Sequence, residues 1–87
     1  MFKIYRYHYI DKKSKVKFEV FSRTVEFADK LIDRLCALGI YNLTKVKMRF
    51  RELVLTEYPP YELEQMQLKY VEEIAAKHGN GGQVIEM

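Results

Sequence analysis

Residues 15–21 read Lys-Val-Lys-Phe-Glu-Val-Phe, a run in which charged and apolar side chains alternate. Successive side chains of a strand point to opposite faces, so this alternation predicts a half-buried strand with its valines and Phe18 toward a core. Residues 2–10, rich in Tyr, Phe and Ile, predict a preceding strand, and the polar residues 11–14 between the two runs have the length of a hairpin turn. The pair predicts an antiparallel hairpin.

Two helices follow from apolar residues at helical spacing. In the first, Ser22 or Thr24 can accept a hydrogen bond as the N-cap, and Gly39 ends the helix. Its apolar stripe is Val25, Ala28, Leu31, Ile32, Leu35 and Leu38. The second helix opens at Pro59-Pro60, because proline fits the first helical turn, and Gly79 closes it. Its stripe is Leu63, Met66, Tyr70, Ile74 and His78.

Between the helices, residues 43–57 predict a third strand. Val46, Met48 and Phe50 alternate with a basic row, which consists of Lys45, Lys47, Arg49 and Arg51. The alternation then changes phase, since Leu53 and Leu55 are apolar and Glu52 is not. One extra residue in a strand reverses the phase, so we expect a β-bulge at residues 51–52.

These elements predict an α+β fold in the order ββαβα, an antiparallel sheet with two helices packed on one face. A short C-terminal strand is a possible addition. Residues 1–79 form a single domain, and residues 80–87, which begin Asn-Gly-Gly, form a flexible tail or a short edge strand. A chain of 87 residues with 48% hydrophobic residues is sufficient for one core.

Composition also indicates the cellular compartment and shows how charge is distributed along the chain. The single cysteine excludes an intramolecular disulfide, and no stretch approaches the roughly 20 apolar residues of a membrane span, so we expect a cytoplasmic protein. Residues 1–50 carry 12 Lys and Arg against 5 Asp and Glu, whereas residues 51–87 carry 3 against 7. A basic half of this kind favours a polyanionic partner, although lysines also protect strand edges.

The sequence contains no combination of residues at the spacing typical of a catalytic or metal site. His8 falls on a strand and His78 at a helix end, without the partners at ligand spacing that a metal site needs. Cys36 falls beside an apolar helix stripe, where cysteine usually behaves as a small hydrophobe. We therefore expect no enzyme, no cofactor and no metal, with a small enzyme using Cys36 or His8 as the distant alternative.

The stronger signal is the combination of tyrosines and cations on predicted strands. Single-stranded nucleic acid is commonly held by bases stacking on aromatic rings while Lys and Arg contact the phosphates. The predicted nucleic-acid-binding residues are Lys3, Tyr5, Tyr7, Tyr9, Lys15, Lys17, Lys45, Lys47, Arg49 and Arg51. They form one surface only if the tyrosines lie on the sheet face that the helices leave open. The order of elements is not that of an RNA-recognition motif, and residues 47–53 lack its signature.

We therefore predict a small non-enzymatic protein that binds a polyanion, most simply nucleic acid, through this Tyr/Lys/Arg face. The alternative is a protein–protein interaction module, either a homodimer or an inhibitor that docks on a larger protein. Tyr and Arg are enriched at protein interfaces as well, and an exposed strand edge can pair with another chain.

Overall fold

The computed structural model describes residues 1–39 and 45–79. Its elements are β1 (Phe2–Asp11), β2 (Lys17–Ser22), α1 (Val25–Leu38), β3 (Val46–Thr56) and α2 (Pro60–Ile74), and a π-helical turn, Ala75–Gly79, continues α2. This order and the antiparallel sheet confirm the predicted α+β fold. The tail or short strand predicted for residues 80–87 lies outside the described residues.

The strands form one sheet in the order β2-β1-β3. The buried carboxylate of Asp11 connects the β1–β2 turn to the start of β3 through hydrogen bonds. This carboxylate accepts hydrogen bonds from the backbone N–H and the hydroxyl of Ser14, at 2.8 and 2.6 Å. It also accepts one from the backbone N–H of Lys45 at 2.7 Å, just before β3. Because a buried carboxylate is stable only with such donors, Asp11 holds the β1–β2 turn against the start of β3.

The ends of α1 follow the predicted capping. Thr24 is the N-cap, and its side-chain oxygen accepts a hydrogen bond from the N–H of Phe27 at 3.3 Å. Gly39 ends the helix with a φ of 70°, in the left-handed region that glycine adopts readily, and its N–H donates to the carbonyl of Cys36. Ser22, the other predicted cap, donates its hydroxyl to Glu64 of α2 instead.

The core lies between the helices and the β2–β1 side of the sheet. It is formed by Tyr7, Tyr9, Val20, Ala28, Leu31, Ile32 and Val71. Both helices pack mainly on β2 and β1, so β3 is left at the margin of this layer. Leu53 and Leu55 of β3 are consequently 55% and 61% exposed. The predicted stripe of α1 is confirmed, since its three buried residues all belong to it.

The orientation of α2 differs from the sequence prediction. Met66 and Tyr70 of the predicted stripe are 55% and 63% exposed, whereas Glu64 and Val71 are buried. The reason is polar: Ser22 and Arg23 donate hydrogen bonds to the Glu64 carboxylate and fix this side of α2 toward the sheet. The displaced stripe lines an apolar groove of about 520 Å³ along β2. The side chain of His78 lies outside the described part.

Candidate nucleic-acid interface

The strand register divides the candidate residues between the two faces of the sheet. Directly opposed residues of paired strands share a face, and Tyr7 is opposed to Val20, a core residue. Tyr5, Tyr7 and Tyr9 therefore lie on the face that the helices cover. Tyr7 is 0% and Tyr9 3% exposed. A base cannot stack on a ring that is already packed in the core, so these two tyrosines are structural.

The basic row of β3 is split by a β-bulge. His8 is opposed to Phe50 and Tyr9 to Met48, so Arg49 is the extra residue. The bulge predicted at residues 51–52 thus lies two residues earlier, before Phe50 and not after Arg51. After the bulge the phase is reversed, because each residue now points to the opposite face.

This reversal separates the cations. Lys47 lies on the open face, the sheet face opposite the helices, whereas Arg51 lies on the helix-covered face. The Arg51 guanidinium sits 4.3 Å from the centre of the Tyr5 ring, a cation–π contact. Lys3, opposed to Leu55, shares the Arg51 face. The tyrosine row and the basic row therefore do not form one open surface.

Two lysines of different strands do come together on the open face. Ile10 of β1 is opposed to Lys17 on one side and to Lys47 on the other, so the two lysines flank one apolar residue. Lys15 belongs to the preceding turn, with a φ of 66°, and β2 begins two residues later than the alternation predicts. Lys45 directly precedes β3. These four lysines lie toward the same end of the sheet.

The open face has its own aromatic residues, which the sequence analysis did not select. The ring of His8 stacks on that of Phe50, with centroids 4.2 Å apart and planes inclined by 16°. Phe50 is 48% exposed. Phe21 of β2 is half-buried, and the Arg6 guanidinium lies 5.9 Å from its ring centre. Only the position of the bulge brings Phe50 to this face, and nothing in the alternation of residues 45–51 marks it.

An ionic network orients the His8 ring. The Glu52 carboxylate lies 2.7 Å from His8 Nε2 and accepts a hydrogen bond from Arg6 Nε at 2.9 Å. These contacts, that of His8 first, hold the pKa of Glu52 below its usual value. Because the carboxylate is ionised, His8 donates from Nε2, and its Nδ1 faces Glu19 at 3.7 Å. The negative charge of Glu52 is thus balanced by Arg6 on the open face.

A cavity of about 360 Å³ opens beside the stacked rings. Its lining includes His8, Lys17, Glu19, Arg49 and Phe50. Two cations and an exposed ring therefore border one recess, while Glu19 contributes a single carboxylate. This arrangement suits an anionic group attached to a planar apolar one.

The alternative catalytic residues do not lie together. Cys36 packs against the core on the helix side, and burial raises the pKa of its thiol, which disfavours the reactive thiolate. His8 lies on the opposite face of the sheet. Within residues 1–39 and 45–79, no group of three His, Cys, Asp or Glu side chains is arranged to hold a metal ion.

Comparison with known proteins adds no assignment. No protein-family model, no curated protein and no solved structure matches the chain. Among the described residues, no helix combines the length and apolar character needed to cross a membrane.

Proposed function

We propose that the chain is a non-enzymatic binding protein whose open sheet face holds single-stranded nucleic acid. The observation that carries this proposal is the exposed Phe50–His8 stack next to a recess bordered by Lys17 and Arg49. An exposed aromatic ring beside two cations suits a nucleotide, because the base is planar and the phosphate is anionic. The proposal keeps Lys17, Lys47 and Arg49 from the predicted set and replaces the buried tyrosines with Phe50 and His8.

The aromatic and basic residues of this face would contact different parts of the nucleic acid. One base stacks on the outer surface of Phe50, whose inner surface rests on the His8 ring. The cations flanking Ile10 contact phosphates on either side. Adjacent strands are roughly 4.8 Å apart, so Lys17 and Lys47 are about 10 Å apart at the backbone, and their long side chains can reach neighbouring phosphates. Single strands are preferred because a duplex hides its base surfaces.

A fluorescence-anisotropy titration of labelled 12-nucleotide DNA and RNA single strands tests the proposal. We expect binding at low salt that weakens as salt rises, because each phosphate contact adds roughly 0.7 to the salt slope. Lys17→Gln and Lys47→Gln should each reduce this slope by about one contact. Lys69→Gln, a change at an exposed lysine on α2, is the matched control and should leave it unchanged.

The stacking residue has a matched control as well. Loss of base stacking costs about 1–3 kcal/mol, so Phe50→Ala should weaken binding by about 5- to 150-fold. Tyr70→Ala removes a comparably exposed ring from α2 and should have no effect. Absence of binding at low salt, or equal losses in Phe50→Ala and Tyr70→Ala, would overturn the proposal.

The alternative is a protein-interaction module. It is supported by the exposed apolar residues of β3, which lie mostly outside the proposed nucleic-acid site.

A further inference from the structure

The two edge strands of the sheet, β2 and β3, differ in whether another element hydrogen-bonds to their outer backbone. At β2, the Gln67 side chain of α2 accepts a hydrogen bond from the N–H of Phe21 at 2.8 Å and donates one to its carbonyl at 2.6 Å. This amide occupies the place of one residue of a neighbouring strand and caps the edge at Phe21. At the other side, no strand within residues 1–39 and 45–79 pairs with the outer edge of β3.

The second half of β3 contains neither a bulge nor a proline. Natural edges carry bulges, prolines or several lysines that prevent pairing with another chain. The bulge at Arg49 protects the first half, but residues 50–56 keep an unbroken register with β1. This segment reads Phe-Arg-Glu-Leu-Val-Leu-Thr, and its exposed apolar residues are Phe50, Leu53 and Leu55. It is a long and regular edge whose two charged side chains, Arg51 and Glu52, already contact Tyr5 and Arg6 of the same chain.

We infer that this edge pairs antiparallel with the same segment of a second copy of the chain, with the two-fold axis at Leu53. An axis at Arg51 or Glu52 would oppose like charges, which is destabilising. An axis at Leu53 instead opposes Leu53 to its own copy and Arg51 to Leu55. The four leucines of the two copies then form one apolar cluster on the helix side, where neither helix layer covers β3.

Charge complementarity favours this register. It brings Arg49 of each copy level with Glu57 of the other, so the ends of the paired strands carry opposite charges. Arg51 and its copy are four residues out of register, which separates them by roughly 14 Å. That distance exceeds the Debye length of about 8–10 Å at ordinary ionic strength, so their repulsion is screened. The register also opposes Phe50 to Thr56 of the second copy, beside the ring surface proposed for base stacking, so edge pairing and base stacking are expected to compete.

Site-directed crosslinking tests the register directly. In a Cys36→Ser background, Leu53→Cys should form a disulfide dimer with oxidised glutathione, because opposed Cα atoms lie about 4.5–5.5 Å apart. Leu55→Cys, equally exposed, should crosslink at least tenfold more slowly, since its copy is about four residues away. Equal crosslinking of the two variants would overturn the register.

Sedimentation equilibrium tests the dimer itself. The natural chain should rise from 10.4 kDa toward twice that mass over micromolar to millimolar concentration. Glu57→Lys should weaken association at least tenfold, and Arg49→Glu likewise. Mixing the two variants should restore it, because both end pairs are then oppositely charged.

Two results would contradict the inference. One is a 10.4 kDa particle at every concentration. The other is loss of the dimer in Met66→Lys but not in Leu53→Lys, which would place the contact at the α2 groove. Both substitutions are at exposed positions, so each variant is expected to fold.

Discussion

Tyr7 and Tyr9 occupy equivalent positions on one strand face but differ in how their hydroxyls are satisfied. The Tyr9 hydroxyl donates a hydrogen bond to Asp29 Oδ1 at 2.7 Å. Burial first, and this carboxylate second, raise the pKa of Tyr9. The Tyr7 hydroxyl is buried and has no hydrogen-bond partner among the described residues. An unsatisfied buried hydroxyl lowers stability, so the two rings make different contributions.

Removing each hydroxyl should therefore change stability in opposite directions. Tyr7→Phe should raise the free energy of unfolding by about 1 kcal/mol, because it removes an unpaired polar group. Tyr9→Phe should lower it by about 1 kcal/mol, because it breaks a hydrogen bond to a carboxylate. Urea denaturation measures both. A loss of more than about 1 kcal/mol in Tyr7→Phe would show that its hydroxyl is bonded.

Glu64 makes folding depend on pH. Hydrogen bonds from Arg23, whose side chain contributes most, hold the pKa of this buried carboxyl below its usual value. A group with a lowered pKa in the folded state stabilises fully above its unfolded value of about 4.3, and this stabilisation is lost as the pH falls through the folded-state pKa.

The Glu64→Gln variant isolates this contribution. At pH 7 it should lose about 2 kcal/mol of unfolding free energy, because Ser22 and Arg23 lose a charged acceptor. The difference between natural chain and variant should shrink as the pH falls below about 4.3. Denaturation at pH 7 and at pH 3 measures it, and a difference that stays constant would contradict this role.

Helix α2 serves two purposes at once, since it covers the core and closes the β2 edge. Its hydrogen bonds to β2 through Glu64 and Gln67 fix its orientation, so its apolar stripe remains at the margin of the contact. Hydrophobic periodicity therefore identified the helix correctly and its buried side incorrectly. A buried glutamate held by an arginine of another element leaves no trace in the local pattern.

Gln67→Ala tests the edge closure. Loss of the amide leaves the N–H and carbonyl of Phe21 without their side-chain partners, so the Phe21 amide should exchange with solvent at least tenfold faster. Gln65→Ala, on the exposed side of the same helix, should leave that rate unchanged. Native-state hydrogen exchange by NMR gives both rates, and equal rates in the two variants would refute the closure.

The order of strands and helices was predictable because alternation, helical spacing, a capping threonine and a terminal glycine all act locally. The face of the sheet on which each side chain lies was not predictable, because it depends on strand pairing between residues far apart in sequence. Opposition of Tyr7 to Val20 puts the tyrosines in the core, and the bulge at Arg49 turns Phe50 outward. The alternation selected Lys17 and Lys47 as candidates, and their placement on either side of Ile10 required the register.

At the scale of the whole molecule, we propose distinct roles for the faces and edges of one small sheet. One face carries the core, and one edge is capped at Phe21 by Gln67. We propose the open face for nucleic acid and the β3 edge for a second copy, with competition expected at Phe50, which borders both. In this proposal, the cations of the basic first half that contact nucleic acid are a few lysines and Arg49 near one end of the sheet.

An NMR titration of the labelled chain with a short single-stranded oligonucleotide at low salt tests whether the open sheet face holds nucleic acid. We expect the side-chain signals of Phe50 and His8, and the amides of Lys17 and Lys47, to shift together and to return as salt is added. The ring signals of Tyr7 should not move. Shifts confined to α2, or no shifts at all, would contradict the account.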